Sequence, residues 1–156
     1  MNPDIEALLP SARWPAYIGI ILAGLILPAL LIPIVHLTGY SEIVEEIAKA
    51  LIVFFLILPL PGLGRKLMWA CIFGALFGIS ETVFYLPTIL QNGTITLVLY
   101  RLLLTVPMHG LTATVLAFSG SFRKRYILLG LVTAIAIHLA FNDILVPRLN
   151  LYLDAY

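Results

Sequence analysis

Several apolar runs of 18 or more residues follow one another along this chain of 156 residues. A run of that length is what an α-helix needs to cross a hydrocarbon core of about 30 Å. Runs of this length make the fold class all-α: a polytopic bundle of membrane helices. Composition agrees, with a mean hydropathy of +1.07 and 11% charged residues, where soluble domains carry about 25%.

The turn-forming stretches "TGYS", "PLPGLGRK", "QNGT" and "GSFRK" divide the runs into five predicted helices, over 16–38, 42–60, 66–90, 94–119 and 125–146. Together they predict a single membrane domain over 1–156, with no soluble domain and no repeat. The first run is a full span with prolines inside it, so no cleavable signal peptide is expected. The single Cys71 excludes a disulfide framework and a thiolate metal site. With five crossings, the N-terminus and the second and fourth loops share one side. That side collects Arg13, Arg65, Lys66, Arg123, Lys124 and Arg125, whereas the other has only Arg148 near the end. The positive-inside rule then places the N-terminus in the cytoplasm and the C-terminus outside. Asn92-Gly93-Thr94 spells a glycosylation sequon there but reads better as a turn.

Charges inside the spans need another reason, since each costs about 3 kcal/mol at the bilayer centre on insertion scales. They are Glu45, Glu46, Lys49, Glu81, Arg101 and, near a helix end, Asp143, with His109 and His138 also deep in spans. Glu45 and Glu46 have a structural explanation. Ser41 can cap the helix, acids in a first turn complement its dipole, and Lys49 is an i+4 partner of Glu45. Glu81 has less excuse. It shares a face with Gly74 and Gly78, a spacing that admits a second helix closely. His138 and Asn142 share a face of the last helix, and Arg101, Thr105 and His109 a face of the fourth, with Pro107 beside the histidine. His36 ends the first helix and receives no role. Four helices thus send polar groups inward in the outer half of the membrane.

Two histidines with carboxylates, and no Ser-His-Asp set, suit a hydrolytic site that activates water rather than a side-chain nucleophile. Two alternatives stay open. Zinc or another divalent ion could sit on His109, His138 and Glu81, with another glutamate as base. Equally, a glutamate could take the proton directly, with a histidine and Asn142 donating to the oxyanion.

Four stretches carry a resemblance: "EEIAK" (45–49), "FGISETVFY" (77–85), "RLLLTVPMHG" (101–110) and "HLAFN" (138–142). In this order, each on its own span, they resemble the PrsW family of intramembrane proteases, related to the CAAX prenyl endopeptidases. The similarity covers about residues 40 to 146. It implies hydrolysis of a peptide bond in or beside the membrane, in a membrane-anchored substrate protein, within a prokaryotic cell membrane and without nucleic acid. Glu45 and Glu46 match the paired acids, one expected to activate water, and Glu81 a third acid. His109 and His138 match the two histidines, Asn142 an oxyanion donor, and Lys49 and Arg101 supporting positions that orient the carboxylates. Two competing readings are a non-catalytic scaffold of the same superfamily and a small proton-coupled carrier. An enzyme predicts a polar cavity open to water; a scaffold predicts the same groups paired with one another and no room for water.

Overall fold

The computed structural model of the protein describes residues 14–92 and 95–145. Arg13, Arg148, Gly93 and Thr94, used above for orientation and for the third turn, lie outside the described residues. Five helices follow in order. They are α1 (Trp14–Thr38), α2 (Ser41–Ile52, prolonged by a π-helical turn Val53–Ile57), α3 (Leu63–Asn92), α4 (Ile95–Phe122) and α5 (Ile127–Ala140). Helix α5 is entered through a 3₁₀ turn, Lys124–Tyr126, and prolonged by a second π-helical turn, Phe141–Leu145. No strand occurs among the described residues.

Four segments are long and apolar enough to cross a membrane: Trp14–Thr38, Leu63–Pro87, Val98–Phe122 and Lys124–Leu145. The protein is therefore an integral membrane helix bundle. Helix α2 is the exception. The sequence predicts a span over 42–60, but the helix ends at Ile57 and carries Glu42, Glu45, Glu46 and Lys49. Its polarity is inverted. Glu45, Glu46 and Lys49 are buried, while Ile43, Ile47, Leu51 and Phe55, four residues apart, face outward. That pattern suits a helix whose outside is lipid and whose inside is a polar site.

Two local expectations are corrected. Ser41 does not cap α2: Tyr40 holds the cap position and makes no side-chain cap bond. Lys49 pairs with Glu46 at i+3, not with Glu45 at i+4. The turns before α2 and α3 each use a glycine at positive φ, Gly39 at 72° and Gly62 at 73°, a region other residues enter at a cost. The Gly39 N–H also closes α1 by donating to the Val35 carbonyl at 2.8 Å.

The helices close a ring in the order α1, α3, α4, α5, α2 and back to α1. Lipid tails are as apolar as leucine, so close packing and polar bonds hold such a ring together rather than burial from water. Small residues set its tightest contacts. A Cβ on Gly74 would lie 2.1 Å from the His109 carbonyl oxygen, and one on Gly78 would lie 2.9 Å from the Val106 Cα. Gly24 of α1 likewise meets Leu76 and the Phe73 carbonyl of α3, and Ser80 donates to the Leu25 carbonyl at 2.6 Å. Inside the ring, Ile20, Val53, Ile57, Phe73, Leu116 and Ala117 form an apolar storey. Phe77 closes it off, and the buried charges lie beyond.

Candidate active site

The close approach of α3 and α4 seats His109 against Glu81, and the inverted face of α2 supplies the rest. Glu46, Lys49 and His109 are wholly buried, with His138 at 3% and Glu45 at 8% exposure. The Lys49 ammonium donates to Glu46 Oε1 at 2.7 Å and to His109 Nδ1 at 2.6 Å. It also lies 4.6 Å from the centre of the Phe77 ring, a cation–π contact that offsets desolvation. Because an ammonium has only hydrogens to give, His109 accepts at Nδ1 and must carry its proton on Nε2. That Nε2–H donates to Glu81 Oε2, and Arg101 Nη2 donates to Glu81 Oε1 at 3.0 Å. On the other side, His138 Nδ1–H donates to Glu46 Oε1 at 2.9 Å. A chain of bonds thus runs from Arg101 through Glu81, His109, Lys49 and Glu46 to His138.

Glu45 stands apart. No side chain among the described residues bonds to it, and its Oε2, like Glu46 Oε2, is buried without a partner. Such an orphaned acceptor costs about 1–3 kcal/mol unless a donor reaches it. A cavity of about 60 Å³ provides the route. It opens between α1, α2 and α3 along Pro28, Leu31, Val35, His36, Phe84 and Tyr85, with Glu45 and Glu81 as its acidic groups. Water needs about 10–15 Å³ of such volume per molecule, so several fit.

The remaining residues have clear placements. Arg101 lies over the Tyr85 ring, 4.5 Å from its centre, and is 35% exposed. Asn142 does not bond to the central cluster: its Nδ2 donates to Glu42 Oε1 at 2.7 Å. Thr82 Oγ1 is satisfied within its own helix by the Gly78 carbonyl. Asp143 is exposed at the end of the last helix. Glu42 was not singled out from the sequence, and His36, given no role there, lines the cavity. Glu42 had a signal in the sequence, since 42, 45, 46 and 49 fall at i, i+3, i+4 and i+7 on one face.

The sequence profile of the PrsW family of intramembrane metalloproteases matches residues 8–154. The chain belongs to the PrsW family. No curated protein and no solved structure matches it. Buried carboxylates and imidazoles on facing helices are groups from which a water-activating site can be built. The family description raises the question of a metal. Among the described residues, one trio could hold one: Glu45, His109 and His138 each bring a ligand atom within 4.8 Å of the others. The carboxylate of this trio is Glu45; Glu81, named for that place from the sequence, has both oxygens bonded to Arg101 and His109. Glu45 Oε2 is open, and so is the ring nitrogen of His138 that faces away from Glu46. His109 is not open, because Lys49 and Glu81 hold both its nitrogens. A catalytic zinc needs three protein ligands and an open position. As arranged, the trio offers two, so the residues do not fit a metal while Lys49 holds His109.

Proposed function

We propose that this PrsW protein is an intramembrane endopeptidase in which Glu45 activates the water that cleaves a peptide bond of a membrane-associated protein. The observation that carries this is the unpartnered, buried carboxylate of Glu45 at the inner end of a water-sized cavity. Glu46 and Glu81 have oxygens committed to Lys49, His138, Arg101 and His109. Glu46 Oε2 is also unbonded, but Glu45 alone of the three makes no side-chain bond among the described residues and also lines the cavity.

In this reading a water in the cavity donates one hydrogen to Glu45. Ligand atoms of Glu45 and His138 lie within 4.8 Å, so one water at ordinary hydrogen-bond distance can touch both. His138 gives Nδ1–H to Glu46, which fixes its ring and leaves Nε2 as an acceptor, the orienting logic of a base held by a carboxylate. Proton transfer to Glu45 makes the water a nucleophile toward the peptide carbonyl. The proton then passes to the departing amine, restoring the carboxylate. Asn142, steered by Glu42, has a second Nδ2–H for the developing oxyanion. Charge on the loops supports a cytoplasmic N-terminus, with the site in the outer half of the membrane.

A scaffold would pair its acids with one another and leave no space. Glu45 is unpaired and the cavity reaches it, which favours the enzyme. The test is cleavage of a membrane-anchored substrate by purified protein, parent against Glu45→Gln. A general base contributes about 10²–10⁴-fold, so Glu45→Gln is expected to lose that much rate at unchanged thermal stability. Undiminished cleavage would remove Glu45 from the mechanism.

A further inference from the structure

Lys49 is the least expected residue in the site. A lysine is almost never wholly buried unless paired, and here it is at 0% exposure, bonded to the Glu46 carboxylate and the His109 imidazole and lying against the Phe77 ring. Its position has a chemical consequence beyond orienting carboxylates. Glu45, His109 and His138 already have ligand atoms within 4.8 Å of one another, and all three are buried. Two bonds hold His109: its Nε2–H goes to Glu81, which leaves Nδ1 as the nitrogen with a lone pair for an ion, and Lys49 Nζ occupies that Nδ1 at 2.6 Å. That bond occupies one lone pair and, by fixing the tautomer, puts the only proton on the nitrogen that faces Glu81. The same ammonium places a positive charge within hydrogen-bonding distance of a ligand atom, where it repels a divalent ion.

We propose that Lys49 is an internal competitor for a divalent metal ion. A Glu45–His109–His138 site exists in the fold, and the Lys49 ammonium holds it closed by taking His109. The inference does not require the chain to be a protease, and its test reads metal binding rather than cleavage.

Purified parent, Lys49→Met and Lys49→Arg are titrated with Co²⁺, following the visible d–d absorption of a tetrahedral site and metal content after dialysis. Lys49→Met is expected to bind one Co²⁺ at least about 100-fold more tightly than the parent, since a unit charge adjacent to a ligand is removed. Adding His138→Ala to that variant should abolish the signal, and Lys49→Arg, which keeps the charge, should resemble the parent. Equal affinity and spectrum in parent and Lys49→Met would overturn the proposal, as would absence of Co²⁺ binding in a folded Lys49→Met.

A measurement on the unmodified protein stands independently of how the variants fold. With ¹⁵N-labelled histidine, His109, assigned by its loss in His109→Gln, should report a protonated Nε2 and an unprotonated, hydrogen-bonded Nδ1. A protonated Nδ1 on His109 would show that Lys49 does not occupy it, and the competition would fail.

Discussion

Two neighbouring glutamates with the same chemistry have different surroundings, and the difference separates their roles. Glu46 Oε1 accepts from both Lys49 and His138, so it holds α2 to α5 and balances the buried ammonium. Glu45 has no such partner. Breaking a buried ion pair by removing one charge typically costs about 3–5 kcal/mol. Glu46→Gln should therefore lower the thermal midpoint in detergent as well as activity, whereas Glu45→Gln should lower activity alone. A stability assay run beside the cleavage assay separates the two; equal midpoints would contradict this division. The sequence singled out both acids through their match to the paired acids of the family, since their place in a first turn had a structural explanation of its own. It could not rank them, because the ranking depends on His138, 92 positions away.

At the level of elements, most of the arrangement is set by glycine faces and by charge periodicity. The face of Gly74, Gly78 and Glu81 was legible, and it packs where a second helix must come closest, against His109 and Val106. A methyl at Gly74 would meet the His109 carbonyl at 2.1 Å and the Gly110 Cα at 2.8 Å, so α3 and α4 would have to part. Gly74→Ala is expected to lose both stability and cleavage, because His109 leaves Glu81 as the helices separate. Gly64→Ala, with nothing within 4 Å of the added atom, is the matched control and should behave as the parent in both assays. The π-helical turns at Val53–Ile57 and Phe141–Leu145 were not legible. An extra residue in a turn leaves hydrophobic periodicity almost unchanged over so short a stretch. The second turn begins at Phe141, between His138 and Asn142, so the register that puts those two on one face changes there. Asn142 meets Glu42 rather than the central cluster.

For the whole molecule, the ring order α1, α3, α4, α5, α2 brings the buried charges to one part of the bundle, where Glu45 and Glu81 line the cavity and Glu45 alone of the two has no side-chain bond among the described residues. Chain order alone does not give this ring, because α2 closes it between α1 and α5 rather than lying beside α3. The cavity walls contributed by α1 were likewise invisible in sequence: Leu31 and Val35 look like any lipid-facing residues of a long apolar span. A large side chain there should obstruct water and substrate without touching the ion pairs. Val35→Trp is expected to slow cleavage at least about tenfold, the effect of roughly 1.4 kcal/mol on the barrier, with the melting curve unchanged. Full activity in that variant would exclude the α1 side as the entrance.

The inverted face of α2 also bears on how the chain is made. With three glutamates and a lysine in its helical length, and about 2.5–3.5 kcal/mol for a charge at a helix centre, α2 is a poor substrate for insertion by itself. Among the described residues, every side-chain bond it makes to another helix goes to α4 or to α5 and its π-helical extension, through His109, His138 and Asn142. Those helices leave the ribosome later. The segment that carries Glu45 is thus synthesised second, and the bonding partners of its polar face follow it along the chain.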